Sequence, residues 1–519
     1  MNIEELIEQP FVVLTDLVRV YSQDQPEHPA LIQDERTLNY AQLNALVDRI
    51  AASLQRDGLK PGDALAICAF ASIEYAAVFL GGLRAGVAVA PLAPSSTAQS
   101  LVTMAADAGA TLFFVDAGVA AELEPVKGQL SAKLISLDGS PAGQAFQDWL
   151  APAGAKPVPV AIAPEAPFNI IYSSGTTGAP KGIVQSHGMR WAHVQRGTLS
   201  GYGPQAISLI STPLYSNTTL VCFFPTIGLG GTVVLMAKFD AKRYLELAQK
   251  HRVTHTMLVP VQYQRIMSHP DFNGYDLSSF QKKFCTSAPF SAALKADILK
   301  RWPGGLVEYY GMTEGGGTCI LVAHEHPDKL HTVGCPAPGH DIRLIDDNGN
   351  EVAQGEIGEV VGHSPAMMNE YHNQPEKTAE VEWFDPTGKR FIRTGDVGRF
   401  DEDGFLTLLD RKKDMIISGG FNVYPSDLEV VLRQHPELED VAVVGVPSER
   451  WGETPVAFAV PRPGSRLGSE ELLAWANERL GKTQRLAAVR IVDSLPRSAI
   501  GKVLKRELRD GFRSERQLP

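Results

Sequence analysis

The sequence has few cysteines and no segment typical of a secretory signal. Five cysteines occur among 519 residues, an odd number with no C-x-x-C pair. This pattern argues against a disulfide framework or a zinc site and favours reduced, mostly buried thiols. The N-terminal run "MNIEELIEQPFVV" carries Glu4, Glu5 and Glu8 where a secretory signal carries positive charge. We therefore predict a cytoplasmic protein.

The chain also lacks a long uninterrupted hydrophobic run and an excess of positive charge. Its most apolar stretch, "YAAVFLGGLRAGVAVAPLAP", is broken by Arg84, glycines and prolines, so we predict a buried helix followed by a strand and no membrane span. The formal net charge of −11 gives no general attraction to nucleic acid or to an anionic membrane. A polyanionic ligand would have to be bound by local groups.

The 519 residues exceed the size of a single core and alternate between helical and strand-like segments. The alternation over residues 30–150 and again over about 168–330 predicts an α/β fold with a largely parallel sheet covered by helices. The connector "APAGAKPVPVAIAPEAP" separates these two stretches, and "HDIRLIDDNGNEVAQGEIGEVVG" predicts hairpins or a small barrel. From about residue 414 a small α+β domain follows, in which "PSDLE" predicts a helix with Ser426 as N-cap and Glu429 closing a capping box.

A glycine-rich segment, "IYSSGTTGAPKG" at residues 171–182, follows a predicted buried strand. Glycines allow a backbone to approach an anion closely, hydroxyls add donors, and Lys181 adds a positive charge, so the segment suits a polyphosphate. The spacing is not the Walker pattern, because Gly182 follows the lysine. Taken alone, the segment is more typical of a flexible surface turn with an incidental lysine than of a phosphate site.

The complete run "YSSGTTGAPKG" resembles the phosphate loop of the ANL superfamily of adenylate-forming enzymes. Four further motifs occur in the family's order: "EYYGMTEGG", "RTGDVGRFDEDGFLTLLDRKKDMI", "SGGFNVYPSDLE" and "LPRSAIGK". The resemblance covers about residues 30–510. It implies a large N-terminal domain of two α/β subdomains plus a β-barrel (1–412, with subdomains of about 1–165, 166–335 and 336–412). A small mobile α+β C-terminal domain (413–519) would follow a hinge near Lys413.

The activity implied by this resemblance has two steps. A carboxylate attacks the α-phosphate of ATP to give an acyl-adenylate and pyrophosphate, and a thiol then displaces AMP. Thr313 would contact the α-phosphate, Glu314 would bind Mg²⁺, and Tyr310 would stack on adenine; singly, these residues are typical of core or solvated turn positions. The other implied nucleotide ligands are Ser173, Ser174, Gly175, Thr176, Thr177, Gly178 and Lys181 for the phosphates, Ser287, Ala288 and Pro289 beside the base, and Asp396 and Arg411 for the ribose.

Lys502 corresponds to the family's C-terminal-domain lysine, which reaches the site during adenylation. A positive charge between the substrate carboxylate and the α-phosphate offsets their repulsion. Rotation about Lys413 would then withdraw Lys502 and bring up Gly419 and Gly420, leaving room for a pantetheine arm.

The thiol implied is CoA, because "SGGFNVYPSDLE" resembles the form found in acyl- and aryl-CoA ligases. A stand-alone enzyme that loads a carrier protein and an inactive nucleotide-binding scaffold are the alternatives. The predicted partners are thus a small carboxylic acid, ATP and CoA. The sequence does not decide the oligomeric state, for which a homodimer is one candidate.

The predicted acid pocket departs from the family pattern, so the sequence does not identify the acid substrate. Ser216 stands where relatives place a histidine or aromatic residue, and "GKTQRLAAVRIV" lacks a proline and a lysine of the usual segment. Gly311 stands where acetate-specific relatives place a tryptophan, so the pocket is not limited to acetate. Together with Tyr309, which replaces the glycine of many long-chain relatives, it favours an aryl or medium-sized acid. The implied lining comprises Asn217, Thr218, Val221, Tyr263, Ser287, Tyr309, Gly311, Gly316, Gly317 and Thr318.

Overall fold

The computed structural model describes residues 3–173, 180–418, 421–448, 451–481, 484–498 and 501–516, without the side chains of 421–422 and 513–516. Two compact units divide the chain. The first contains Met1–His331, Pro336–Asp341 and Gly362–Ile392, and the second contains Thr332–Cys335, Ile342–Val361 and Arg393–Pro519.

The helices alternate with strands along most of the chain. They are α1 (Ile3–Ile7), α2 (Leu14–Asp24), α3 (Tyr40–Arg56), α4 (Ile73–Arg84), α5 (Ala98–Asp107), α6 (Ala117–Leu123), α7 (Phe146–Trp149), α8 (His187–Gly197), α9 (Asn217–Gly228), α10 (Ala241–Lys250), α11 (Pro260–Met267), α12 (Ala292–Arg301), α13 (Pro375–Glu380), α14 (Pro425–Leu432), α15 (Ser469–Arg479) and α16 (Lys505–Arg516). Short 3-10 helices lie at Glu124–Gln129, Thr198–Ser200 and Phe272–Gly274.

The strands are mostly short. They are β1 (Pro29–Gln33), β2 (Arg36–Asn39), β3 (Ala64–Cys68), β4 (Ala88–Pro91), β5 (Leu112–Val115), β6 (Lys133–Ser136), β7 (Gln144–Ala145), β8 (Pro167–Ser173), β9 (Lys181–Ser186), β10 (Ile207–Ile210), β11 (Thr232–Leu235), β12 (His255–Leu258), β13 (Lys282–Cys285), β14 (Gly305–Tyr310), β15 (Cys319–Val322), β16 (Cys335–Pro336), β17 (Asp341–Ile345), β18 (Gly358–His363), β19 (Glu370–Tyr371), β20 (Glu382–Phe384), β21 (Arg390–Phe400), β22 (Leu406–Arg411), β23 (Ile416–Ser418), β24 (Phe421–Val423), β25 (Leu438–Ser448), β26 (Gly452–Pro461) and β27 (Ala488–Ile491).

Two sheets organise the first unit. One runs in the order β19-β9-β8-β4-β3-β5-β6-β7, and the other includes the run β15-β14-β13-β12-β10-β11-β1-β2. Pairing is parallel along β10, β12, β13 and β14, while β8–β9 and β14–β15 are antiparallel. Helices cover this core, as in other α/β proteins. Parallel strands direct their carboxyl ends to one edge, where β13 and β14 lead into two of the predicted nucleotide motifs.

Local sequence explains why several elements begin and end where they do. Helix α3 starts after Asn39, whose side chain accepts from the Gln42 N–H while Gln42 returns a bond to the Asn39 N–H. It ends just before Gly58, which has a positive φ of 90°. The predicted helix and strand within the apolar stretch are confirmed as α4 and β4, which are buried at every position except Glu74.

The second unit contains a sheet in the order β24-β23-β26-β25, with β27 beside β26. Its core joins α14 and α15 to these strands, as expected for a small α+β domain. Strand β21 spans both units: Glu382–Phe384 pairs with its Arg390–Ile392 end in the first unit, and Asp396–Phe400 pairs with Leu406–Arg411 in the second.

The predicted cap of α14 is wrong. The helix begins at Pro425, with Tyr424 as N-cap, because proline favours the first helical position. The Ser426 hydroxyl donates instead to the Leu409 carbonyl, and the Glu429 carboxylate accepts from the Val443 N–H.

The predicted fold class, α/β with a large N-terminal part and a small C-terminal part, is confirmed. The domain and subdomain limits stay predictions. Each sheet of the first unit takes strands from both sides of residue 165, through the parallel pairs β4–β8 and β1–β11.

Candidate functional site

Thr313 and Glu314 lie in a tight loop between β14 and β15. Tyr310 ends β14 opposite Cys319 of β15, which fixes where the loop begins. Gly315 has φ of 78°, and a Cβ there would stand 2.0 Å from the Ala366 carbonyl oxygen. Only glycine allows this approach, so the backbone packs closely beside the two candidate catalytic residues.

Tyr371 links Glu314 to Lys181 within the first unit. Its hydroxyl donates to Glu314 Oε1 at 2.8 Å, and Lys181 Nζ lies 4.8 Å from the centre of its ring. Burial, followed by the Glu314 charge, raises the Tyr371 pKa well above its usual range, so the phenol stays a donor. The structure thus brings a candidate phosphate ligand and the candidate Mg²⁺ ligand to one tyrosine.

The phosphate-loop predictions are described only at their two ends. Ser173 ends β8 and pairs with Lys181 at the start of β9. The remaining predicted phosphate ligands, Ser174, Gly175, Thr176, Thr177 and Gly178, lie outside the described residues.

A buried hydrogen-bond network of two amides and a guanidinium group contacts the backbone of Thr313. Gln185 Nε2 donates to the Thr313 carbonyl at 2.6 Å and lies 3.4 Å from Asn217 Oδ1. Gln185 Oε1 accepts from Asn169 Nδ2 at 2.9 Å and from Arg190 Nη2. Arg190 is 1% exposed, and burial lowers its pKa to about 9. These contacts couple the Thr313 loop to the first residue of α9.

The predicted adenine side contains a left-handed serine. Ser287 follows β13 with φ of 84°, a conformation that costs energy for a residue other than glycine. Its hydroxyl pairs with that of Thr218 at 2.5 Å, which ties this segment to α9. Ala288 is half-buried, and Pro289 is exposed.

The predicted acid-pocket residues fall into two groups. Tyr309 is half-buried and stacks on Phe284, and a Cβ on Gly311 would meet Thr318 Oγ1 at 3.4 Å, an ordinary contact. Tyr263, in contrast, has no exposed surface; its hydroxyl donates to the Phe284 carbonyl at 2.9 Å. The structure therefore places Tyr263 inside the core.

The other predicted lining positions lie on α9 or in the loop after β14. Val221 packs against the core from α9, and Gly316 has φ of 82°. Gly317 is buried beside it, and buried Ser216 precedes α9 without a side-chain cap.

The second unit brings the predicted ribose ligands together. Asp396 and Arg411 face each other across β21 and β22, with Arg411 Nε 2.8 Å from Asp396 Oδ1. Lys502 lies near this pair. Its side chain keeps solvent exposure, yet the protein atoms around it, and then Arg411 and Lys413, lower its pKa to about 8.

The segment around the predicted hinge is held by contacts on both sides of Lys413. Asp410 Oδ2 accepts from the Ser426 N–H at 3.0 Å, and Asp414 Oδ1 lies 2.7 Å from Arg509 Nη2. Burial is the main cause that lowers the Lys413 pKa. Gly419 and Gly420, predicted for the pantetheine arm, lie outside the described residues.

Sequence reasoning missed Tyr371, Gln185 and Arg190. A polar residue within the buried strand "KGIVQS" was the available signal for Gln185, because buried amides need partners. Tyr371 and Arg190 carry no comparable local signal, since their roles depend on residues distant in sequence.

Comparison with known proteins agrees with this site. The family model for the AMP-binding enzyme matches residues 18–372, and that for the AMP-binding enzyme C-terminal domain matches residues 427–502. A fatty acid–[acyl-carrier-protein] ligase, ScoC, from Streptomyces coeruleorubidus is 32% identical over 96% of each chain. A feruloyl-CoA synthase from an Amycolatopsis species is 35% identical over 94% of this chain and 96% of its own.

A solved structure is similar over nearly the whole chain. ATP-bound MatB from Rhodopseudomonas palustris is 28% identical, with a TM-score of 0.86 over 97% of this chain and 100% of that one. Within the described residues, no helix combines the length and apolarity needed to cross a bilayer. The protein belongs to the AMP-binding enzyme family, the superfamily of adenylate-forming enzymes.

Proposed function

We propose that this protein is an ATP-dependent, AMP-forming acid–CoA ligase. The observation that carries the proposal is the convergence of Lys502 on the Asp396–Arg411 pair in the second unit. These residues come from separate motifs, and together they provide a cation beside a ribose-binding carboxylate.

In the first step, a carboxylate oxygen of the acid forms a bond to the α-phosphorus of ATP, and the bond to pyrophosphate breaks. Two anions must approach each other, so catalysis consists mainly of positioning and charge compensation. Lys181 supports the phosphates, Thr313 the α-phosphate, and Lys502 supplies positive charge where the two anions meet.

Mg²⁺ fits the chemistry of the first unit. Glu314 offers a hard carboxylate oxygen, already oriented by the Tyr371 hydroxyl, and Mg²⁺ commonly takes one or two carboxylates plus phosphate oxygens. When bound, the ion would neutralise charge on the phosphates.

In the second step, a thiolate attacks the acyl carbonyl and AMP leaves. CoA is the proposed thiol, since the feruloyl relative is named as a CoA enzyme and the Gly419–Gly420 motif has the CoA-ligase form. ScoC, named as a carrier-protein ligase, keeps a phosphopantetheinylated carrier as the second candidate. The proposed acid is an aryl or medium-sized carboxylic acid, because Gly311 leaves its position open to solvent.

Pyrophosphate release by the purified full chain tests this function. The chain is incubated with ATP, Mg²⁺ and fatty, benzoic, cinnamic or dicarboxylic acids, with an acid-free reaction as control. We expect acid-dependent pyrophosphate release, followed by AMP and a thioester when CoA is added. Thioester formation with a phosphopantetheinylated carrier alone would favour the second candidate. No pyrophosphate release with any acid would leave the inactive scaffold.

A homodimer and a cytoplasmic location complete the proposal. Four of the five cysteines are buried and Cys335 is partly exposed, which agrees with a reducing compartment. Light scattering of the purified chain and cell fractionation test these two points.

A further inference from the structure

Three basic side chains follow one another along α8 at three-residue intervals. They are Arg190, His193 and Arg196. Residues three apart lie on neighbouring parts of a helix surface, so positive charge is concentrated on one side of α8. His193 is kept neutral, because burial and then the two arginines hold its pKa well below the usual range. The permanent charges are the guanidinium groups.

Arg196 has a hydrogen-bond partner that cannot satisfy it. Its Nη1 lies 3.0 Å from His340 Nε2, while the Thr318 N–H donates to His340 Nδ1 at 2.9 Å. A neutral imidazole has one acceptor nitrogen, and the other carries hydrogen. With Nδ1 accepting from Thr318, Nε2 presents N–H to the guanidinium. Arg196 therefore needs another acceptor.

No carboxylate of the described residues lies within ion-pair distance of Arg196. Its pKa is lowered chiefly by burial, and that of His340 falls to about 4 through burial and then the Arg196 charge. Protonation of the histidine, which would make both contacts repulsive, is thus disfavoured. A half-buried arginine without a counter-ion is costly, because the charge has lost water without gaining an anion.

The residues around Arg196 are those predicted to line the acid pocket. The His340 ring lies between the Thr318 N–H and Arg196. The positive charge of Arg196 opposes the rise in pKa that burial causes for the Tyr309 phenol. The Tyr309 hydroxyl lies 3.4 Å from Ser200 Oγ, which adds two hydroxyl groups to the same region. A guanidinium, an imidazole N–H and hydroxyls form a set of donors suited to an anion.

We propose that the acid substrate carries a second carboxylate, at the end remote from the adenylated one, and that Arg196 binds it. The Nε2–H of His340 and the Tyr309 hydroxyl are the neighbouring donors. This inference rests on the proposed function and narrows its substrate class to dicarboxylic acids that are activated at one end.

Matched pairs of acids test the inference on the wild-type enzyme. Hexanoate is compared with adipate, and 3-phenylpropionate with its ring-carboxylated analogue, by pyrophosphate release. We expect kcat/KM to be at least about tenfold higher for the diacid in one pair, the factor typical of one charge-assisted hydrogen bond. A phenolic acid, 4-hydroxyphenylpropionate, is included because a hydroxyl is the competing acceptor.

Substitution then assigns the preference to Arg196. Arg196→Met should raise KM for the favoured diacid about ten- to hundredfold, whereas KM for the matched monoacid should stay the same. Arg196→Lys keeps the positive charge and should retain part of the preference for the diacid. It is the variant to measure if Arg196→Met fails to fold. Arg265→Met, an exposed arginine on α11, is the matched control and should leave both acids unchanged.

The outcomes separate this inference from the proposed function. A wild-type enzyme that prefers the monoacids or the phenolic acid overturns the second carboxylate while leaving the ligase in place. An equal diacid preference in wild type and Arg196→Met overturns the role of Arg196. Absence of pyrophosphate release with every acid contradicts the proposed function itself.

Discussion

Two arginines of the first unit show how differently the same side chain is used. Arg84 is 5% exposed, and its Nη1 lies 2.7 Å from Asp48 Oδ1 while Nη2 donates to the Thr15 carbonyl at 2.8 Å. Arg196 has His340 beside it and no carboxylate among the described residues. A buried cation that is paired with a carboxylate is part of the packed structure, whereas one that lacks an anion is suited to bind a ligand.

Lys502 in the second unit is an intermediate case. Asp396 and Asp414 favour its charge, while burial, Arg411 and Lys413 disfavour it more strongly. Its pKa falls to about 8, because the carboxylates of Asp396 and Asp414 offset only part of the effect of burial and of the two neighbouring cations. The comparison predicts that paired cations affect stability and incompletely paired ones affect chemistry.

Arg84→Met should give the largest effect, and it should be on stability. Removing one partner of a buried pair costs about 3–5 kcal/mol, and Lys156, 2.6 Å from Asp48, places the expected loss near the lower value. Urea unfolding measures it. The control is Arg243→Met. Arg243 forms a solvent-exposed ion pair with Asp34, and losing such a pair lowers the free energy of unfolding by about 0–1 kcal/mol. A changed acid preference with unchanged stability would contradict the comparison.

Lys502→Ala should lower adenylation by about 10²-fold or more, the scale for removing one preorganised charge. Thioester formation from supplied acyl-adenylate should be retained, because the positive charge is needed only where two anions meet. Separate assays of pyrophosphate release and thioester formation measure the two steps. Arg506→Ala, an exposed cation on α16, serves as control. Equal loss of both steps in Lys502→Ala would argue against the assignment.

Gln185→Met would leave an Arg190 N–H and the Thr313 carbonyl without this hydrogen-bond partner, and each unsatisfied buried group costs about 1–3 kcal/mol. We expect the adenylation rate to fall about tenfold, because the Thr313 loop loses its support. Gln185→Glu separates positioning from stability. It gives Arg190 a carboxylate, so stability should recover, but it cannot donate to Thr313, so kcat should stay low. Thermal unfolding and kcat are measured together; full recovery of kcat in Gln185→Glu would contradict a positioning role.

The smallest expected effect is a pH dependence of adenylation. The Lys502 pKa is lowered from 10.5 to about 8, so the ammonium is present below pH 8 and is lost as pH rises through that value. The adenylation rate should fall about fivefold between pH 8 and 9. Lys502→Arg keeps its charge at these pH values and should lose this dependence. The same alkaline fall in Lys502→Arg would assign it to another group.

Sequence reasoning succeeded where a feature is local. The family and fold class are confirmed, and the helix and strand predicted within the most apolar stretch are found as α4 and β4. It failed at Ser426, because proline at the first helical position places the cap two residues earlier, at Tyr424; Tyr263, predicted to line the acid pocket, is found buried in the core. The proline that decides the cap is adjacent in sequence, whereas the burial of Tyr263 depends on distant residues that the local pattern does not reveal.

The order and composition of the five motifs alone indicated an adenylate-forming enzyme, through their resemblance to the motifs of that family, because each motif is a short local segment that can be recognised without the fold. Only the tertiary structure decided which cations are neutralised. Arg84 meets Asp48, Lys502 lies near Asp396, and Arg196 meets His340, each across many residues of chain. Charge pairing depends on distances of a few ångströms between segments remote in sequence, and the packing of the whole unit sets those distances.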